Sequence, residues 1–336
     1  MNITNKKLLY SLYLMVFLFS CSNNQSKRLD IDISKIDIGE FEILRYEEDL
    51  FKIQPEQIKQ GLEAIQQKYL VFLAADLSDS SNLNQIKDFI TDPELVQAFR
   101  AIEKKYPNLN SLTSELEEAF KYYKYHFPKY PTLSVYTYIS GFQHEYPIQI
   151  AENTMIIGLD LYLGKEFPVY HQMGIPAYKV ERMQEPYITV DCMKEIAGLL
   201  IPPPPPAPSF LDEILYHGKI MYFLDATLPH KADHFKIGYL PEKLDWCIEN
   251  ESNLWAFIID NQVLFNANFE IIRKFITDGP FTAAFSNDSP ARIGVWIGWQ
   301  IIKSYMNNNP ETSLPELFRN TDSKTIFSES RYKPLK

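Results

Sequence analysis

The stretch TDGPFTAAFSNDSPARIGVWIGWQIIKSYM, residues 277–306, decides the fold because its start, buried face and stop can all be read directly. Ser289 stands as an N-cap, Pro290 occupies a first helical position where its missing N–H costs nothing, and residues 307–310 end the run. Between these signals Ile293, Trp296, Ile297, Ile301 and Tyr305 recur at helical spacing. Gly294 and Gly298 form a small-residue strip on which another element can approach the backbone closely. Burial of such a face stabilises a core by about 1.5–3 kcal/mol for each large side chain.

Outward from this helix, residues 209–225 read as a second strong helix. Residues 191–200, 241–248, 251–260 and 269–276 read as further helices. Residues 40–127 keep the same period, with apolar repeats over 55–72, 85–106 and 112–127; Asp92-Pro93 breaks the second, and Ser111 and Thr113 offer caps for the third. At Tyr130 the period becomes two. Val135, Thr137 and Ile139 fall on one side with Tyr136 and Tyr138 on the other, and a second β-like run covers 151–159. A turn over 141–147 joins the two runs as a hairpin. Residues 164–186, rich in Tyr, Pro and Gly, read as an ordered loop with rings packed inward, and the proline run 202–206 reads as a stiff surface connector. The expected fold is α+β, mostly helical with a small antiparallel sheet, in a single domain over 29–336: a helical part, 29–128, then a hairpin plus helices, 129–336.

The first residues carry a different message. Lys6 and Lys7 precede a short apolar run, 8–19, too short to span a bilayer and suited to the core of a secretory signal. It ends in Leu18-Phe19-Ser20-Cys21, which resembles the bacterial lipobox, where cleavage precedes an acylated Cys. Residues 1–20 are then a signal peptide, Cys21 the lipidated first residue and 21–28 a polar tether. Each acyl CH₂ contributes about 0.8 kcal/mol of membrane binding, so two or three chains hold a protein there almost permanently. Loss of Lys6 and Lys7 takes the formal charge from −10 to −12, which argues against nucleic acid and against a polybasic grip on anionic lipid. Cys192 and Cys247 could join in one disulfide in an exported protein, but both sit in apolar surroundings and read rather as two buried thiols in a chain whose 336 residues, 46% of them hydrophobic, need no staple.

Chemistry is sparse. His230 and His234 have the spacing of two metal ligands, but Lys231 stands where a zinc protease has its general base. If the five-residue zinc-protease signature is laid over Gly218-Lys219-Ile220-Met221-Tyr222, Gly and Tyr replace both His and Lys replaces the Glu, which leaves no ligand and no base. Glu251 alone matches the third ligand of such enzymes. No Gly-x-Ser-x-Gly elbow, phosphate loop or Cys–His pair is present. Arg292, a cation at a helix start, is expected to pair with Asp278 or Asp288 or to hold a partner's carboxylate.

The lipobox together with YTYISGF (136–142), IIGLDLYLG (156–164), KIGYLPEKLDWCIENESNLWAFII (236–259) and DGPFTAAFSNDSPARIGVWIGWQIIKSYM (278–306) resembles the gliding-motility lipoprotein GldB family of the Bacteroidetes. The resemblance covers nearly the whole mature chain. It implies a periplasm-facing lipoprotein that associates with envelope proteins of the gliding machinery; the tether's start at Ser22, with no acid at the next position, suggests the outer rather than the inner membrane by analogy with other Gram-negative lipoproteins. More distantly the chain is similar to gluzincin-type peptidases, which implies a degenerate zincin-like architecture. A non-catalytic, cofactor-free binding or support role follows, with Lys219, Tyr222, Glu251, Trp255 and Arg292 as candidate cleft residues. Two alternatives stand beside it: a metal-dependent envelope hydrolase using His230, His234 and Glu251, and a peptidoglycan- or glycan-binding lipoprotein using the Tyr-rich block 162–187.

Overall fold

The computed structural model describes residues 28–29 and 31–334. The expected signal peptide, Cys21 and most of the tether lie outside the described residues. The chain enters the fold at Leu29, buried in the main core, and reaches strand β1 (Ile43–Arg45) and helix α1 (Tyr46–Phe51). Helices α2 (Ile58–Ile65), α3 (Ser80–Thr91), α4 (Pro93–Lys105) and α5 (Asn110–His126) follow. Asp92 separates α3 from α4: its carboxylate accepts from the Glu94 and Leu95 amides while Pro93 takes the first helical position. Ser111 and Thr113 cap nothing, because α5 begins at Asn110, before both of them, with no side-chain cap bond.

Strands β2 (Ser134–Tyr138), β3 (Ile148–Ala151) and β4 (Thr154–Gly158) complete a four-stranded sheet in the order β1-β2-β4-β3. The α+β class stands, but the sheet is mixed rather than antiparallel. β2 runs parallel to both β1 and β4, and only β3 and β4 pair antiparallel. The tight turn of the hairpin lies at Glu152-Asn153, where Glu152 takes φ 53°, and 141–147 is instead a crossing connection. The buried Asp160 carboxylate fixes that connection by accepting from the Ser140 amide and hydroxyl, both at 2.8 Å, and from the Phe142 amide at 2.7 Å. The alternation along β2 sorts the faces as its period demands. Val135 and Thr137 join Met155 and Ile157 in the main core, whereas Tyr136 and Tyr138 pack with Leu44 on a smaller core built from Tyr46, Leu62, Tyr69 and Leu73.

The Tyr-rich block folds into short helices α6 (Pro168–Gln172) and α7 (Ala177–Val180), with Tyr162, Tyr170 and Tyr187 turned inward and buried. Helix α8 (Ile188–Leu200) lies against β3 and β4. Ser209 and Asp212 form a reciprocal capping box that starts α9 (Phe210–Thr227). Then come α10 (Asp233–Ile237), α11 (Pro241–Glu249), α12 (Glu251–Asp260), α13 (Phe269–Ile276), α14 (Ile293–Asn308), α15 (Leu314–Arg319) and α16 (Ser323–Ser330). Among the described residues no helix is long and apolar enough to cross a membrane. Cys192 and Cys247 are free and fully buried.

Helix α14 begins three residues later than its sequence signals indicate. Ser289 is buried in the preceding loop, where its hydroxyl donates to the Ser286 carbonyl and the Thr282 hydroxyl holds the Pro290 carbonyl, so the cap position falls to Arg292 at φ 58°. Its glycine strip does face α9. The two helices run parallel, with Phe210 beside Gly294, Ile214 beside Gly298 and Ile302 beside Gly218.

Candidate functional site

The sequence-predicted residues occupy three separate places. Lys219, 6% exposed, donates to the Asn320 carbonyl at 2.6 Å, under the chain between α15 and α16. Tyr222 is buried inside α9, and Gly218 lies on the α14 backbone. Glu251 accepts from the Tyr332 hydroxyl at 2.6 Å, and Trp255 packs on Tyr332 and Phe327, so the C-terminal segment covers both. Arg292 donates to the Ile237 carbonyl and lies 3.4 Å from Asp278, one of the two acids expected for it. His230 is exposed beside Glu118, whereas His234 leans on the Phe235 ring. Among the described residues no three His, Cys, Asp or Glu side chains are grouped as metal ligands. Burial pulls the Lys219 ammonium down to about 8, so its charge opposes folding. Lys219→Met is therefore expected to change unfolding free energy by less than about 1 kcal/mol, read from a urea titration.

The open polar site lies elsewhere. A cleft of about 270 Å³ runs between the start of β3 (Pro147, Ile148), Leu161 and Tyr162, the stretch after α7 (Arg182, Met183) and the polar edge of α8 (Asp191, Lys194, Glu195). His144, Glu145 and Lys179 form its rim, where Lys179 donates to Glu145 at 2.7 Å. On the floor the Tyr162 hydroxyl donates to Asp191 at 3.0 Å. Lys194 is 24% exposed, has its nearest carboxylate, Asp191, at 3.7 Å, and donates no hydrogen bond among the described residues. Arg182 is fixed by Asp278, which also pairs with Arg292 behind it. Gly238, at φ 74°, leaves room for this stack, since a Cβ there would meet Arg182 at 2.9 Å. Burial pulls the Lys194 ammonium down to about 8, Asp191 opposes that pull, and Arg292 and Arg182 add to it. An anion placed beside Lys194 would supply the counter-charge that Asp191 only half provides.

Two histidines give the surrounding structure an acid limit. Burial lowers His217 to about 4, with the Arg292 guanidinium acting the same way; burial likewise lowers His126 to about 4, with Arg28 adding to it. Both folded values lie below the unfolded imidazole value of 6.5, so their stabilisation is complete above pH 6.5 and disappears as pH falls towards 4. Stability is expected to fall through that window, by up to about 3 kcal/mol for each histidine, with a matching drop in thermal midpoint, and His217→Asn should flatten its share.

Sequence reading missed Arg182, Asp191 and Lys194. The available signal was slight: Asp191 and Lys194 stand three apart on a helix whose other positions are mostly apolar. The features together define an α+β protein on a mixed four-stranded sheet, with a mixed-charge cleft beside the sheet's edge strand. The chain belongs to the family of gliding motility protein GldB, whose sequence model matches residues 26–334. No curated protein and no solved structure matches the chain. Family membership associates the protein with gliding motility.

Proposed function

We propose that the protein is an envelope lipoprotein, anchored by acylated Cys21, that serves gliding by holding an envelope partner at the cleft around Lys194 without turning over a substrate. The observation that carries this reading is the contrast between two places. The positions where a zinc protease has its ligands and base are closed by packing, Gly218 on the α14 backbone, Lys219 on the Asn320 carbonyl and Tyr222 in the core. The cleft, by contrast, is open and holds an under-paired cation.

The test is allelic replacement in a gliding bacterium. Lys194→Glu is expected to leave the lipoprotein at normal abundance and abolish spreading, because it reverses the only cleft ammonium that lacks a hydrogen bond among the described residues. Lys219→Met and the pair His230→Ala with His234→Ala should spread normally. Normal spreading by Lys194→Glu would remove the cleft from the account. Stoichiometric zinc in the purified protein, with spreading lost in the histidine pair, would favour a hydrolase instead.

A further inference from the structure

We propose that the protein rests on the lipid surface through the patch formed by Tyr125, Lys129 and Tyr130. This rests on the reading of Cys21 as the acylated residue.

The argument begins where the chain enters the fold. The Arg28 guanidinium donates to the carbonyls of Met306, at 2.6 Å, Asn309, at 3.2 Å, and Thr312, and so fixes the tether's exit to the C-terminal end of α14. Cys21 precedes Arg28 by seven residues, which span at most about 25 Å when fully extended. The bilayer therefore lies within that distance of the helix end. Phe127, which ends α5, stacks on Phe318 of α15 with ring centroids 5.6 Å apart, and α15 follows directly on the Thr312 carbonyl that Arg28 holds; the Tyr125 ring packs on His126 at 5.0 Å.

This end of the molecule carries the right side chains. Tyr125 and Tyr130 are each 49% exposed, Lys129 is exposed between them and the prolines 128 and 131 are exposed beside it. Lys124 ties the loop down through the Tyr130 carbonyl at 3.0 Å. Tyr rings sit with their apolar body at the acyl boundary and their hydroxyl among headgroups, and a neighbouring Lys extends its ammonium to the phosphates. Exposed Glu311 next to the Arg28 anchor offsets only part of the positive charge of Arg28, Lys124 and Lys129, and the mildly basic patch that remains suits a surface containing some anionic lipid.

Exposed Phe269 and Leu199, at 68%, and Phe265, at 60%, are at the other end. The loop that holds Phe265 is bonded to the start of α9 through the Asn266 carbonyl and the Phe210 amide. That start lies about 27 Å from the end of α9 at 1.5 Å per residue.

The test uses the mature lipoprotein in vesicles of phosphatidylethanolamine and phosphatidylglycerol containing doxyl-labelled lipid. Bimane is placed on Tyr125→Cys, Tyr130→Cys or Phe269→Cys, with Cys192 and Cys247 shielded by full burial. At least twofold quenching at 125 and 130, with none at 269, is expected. Intact mass reports the acyl group separately. An acylated protein with unquenched labels at 125 and 130, or with quenching at 269 alone, overturns the membrane seat while leaving the anchor; an unacylated Cys21 overturns both.

Discussion

Gly298→Leu is expected to leave the protein unfolded. A Cβ on Gly298 would sit 1.8 Å from the Ile214 carbonyl oxygen and 2.5 Å from its carbon, and a Cβ on Gly218 would sit 2.3 Å from the Gly298 oxygen. Each helix meets backbone rather than a yielding side chain, so relief requires α9 and α14 to separate along a seam that buries Phe210, Ile214, Ile297, Ile301 and Ile302. Overpacking of ordinary cores costs about 1–3 kcal/mol, and a backbone-on-backbone clash should exceed about 4 kcal/mol, a large part of a domain's total stability. Even Gly298→Ala should fail to yield soluble protein. A graded response separates this account from a general dislike of substitution. Gly294→Ala, with its nearest atoms at 3.0 and 3.2 Å, should cost about 1–2 kcal/mol. Gly198→Ala in α8, where nothing lies within 4 Å, should stabilise by about 0.5–1 kcal/mol through helix propensity. Soluble Gly298→Ala, with a loss in urea titrations no larger than those of Gly294→Ala and Gly198→Ala, would show that the close crossing is not the cause.

This crossing also explains what sequence alone misread. The strip on α14 was legible from Gly294 and Gly298, but its partner glycine was weighed as a missing metal ligand. Gly218 is there because only glycine fits against the Gly298 carbonyl. The helix period was likewise readable: α12 and α13 fall where their patterns place them, and α9 begins within a residue of the start its pattern indicates. Strand pairing was not readable, because alternation assigns faces and says nothing of neighbours. β1 has three residues, too few for a period, and the parallel pairing of β2 with β4 depends on Asp160 holding the 140–142 backbone twenty residues earlier in the chain.

The site was less legible than the fold for a related reason. Lys219, Glu251 and Arg292 were grouped by likeness to a peptidase cleft, yet each is held locally by Asn320, Tyr332 or Asp278. Lys194 emerges only when its helix is seen against β3 and Arg182, positions that no spacing rule connects. A charge matters at a site when its neighbours fail to satisfy it, and that depends on three-dimensional surroundings.

Asp225→Ala is expected to be the most damaging change at the other end of α9. The carboxylate is 4% exposed and accepts from Lys236 at 2.9 Å and from the Trp299 indole at 2.7 Å, with Lys303 at 3.7 Å. Lys303 also lies 3.7 Å over the Trp299 ring, and Asp233 reaches both lysines. The alanine variant leaves Lys236, 3% exposed, with Asp233 alone and leaves a buried indole N–H without an acceptor. Removing one partner of a buried pair costs about 3–5 kcal/mol, most of it from the charge left behind. The double variant Asp225→Ala with Lys236→Met should therefore be more stable than Asp225→Ala alone, by at least about 1 kcal/mol in urea. If the second change adds its own loss instead, the stranded charge is not the source. Its pH dependence separates this network from the histidines. Burial pulls Lys236 down, but Asp225 and Asp233 outweigh it and raise the value above 10.5, so that contribution is complete below 10.5 and lost only as pH rises further. Burial pushes Asp233 up, but Lys303 and Lys236 outweigh it and lower the value below 3.8, so its contribution is complete above 3.8 and lost as pH falls further. Neither titrates between pH 4 and 6.5, and acid loss in that window should therefore persist in the double variant and weaken in His217→Asn.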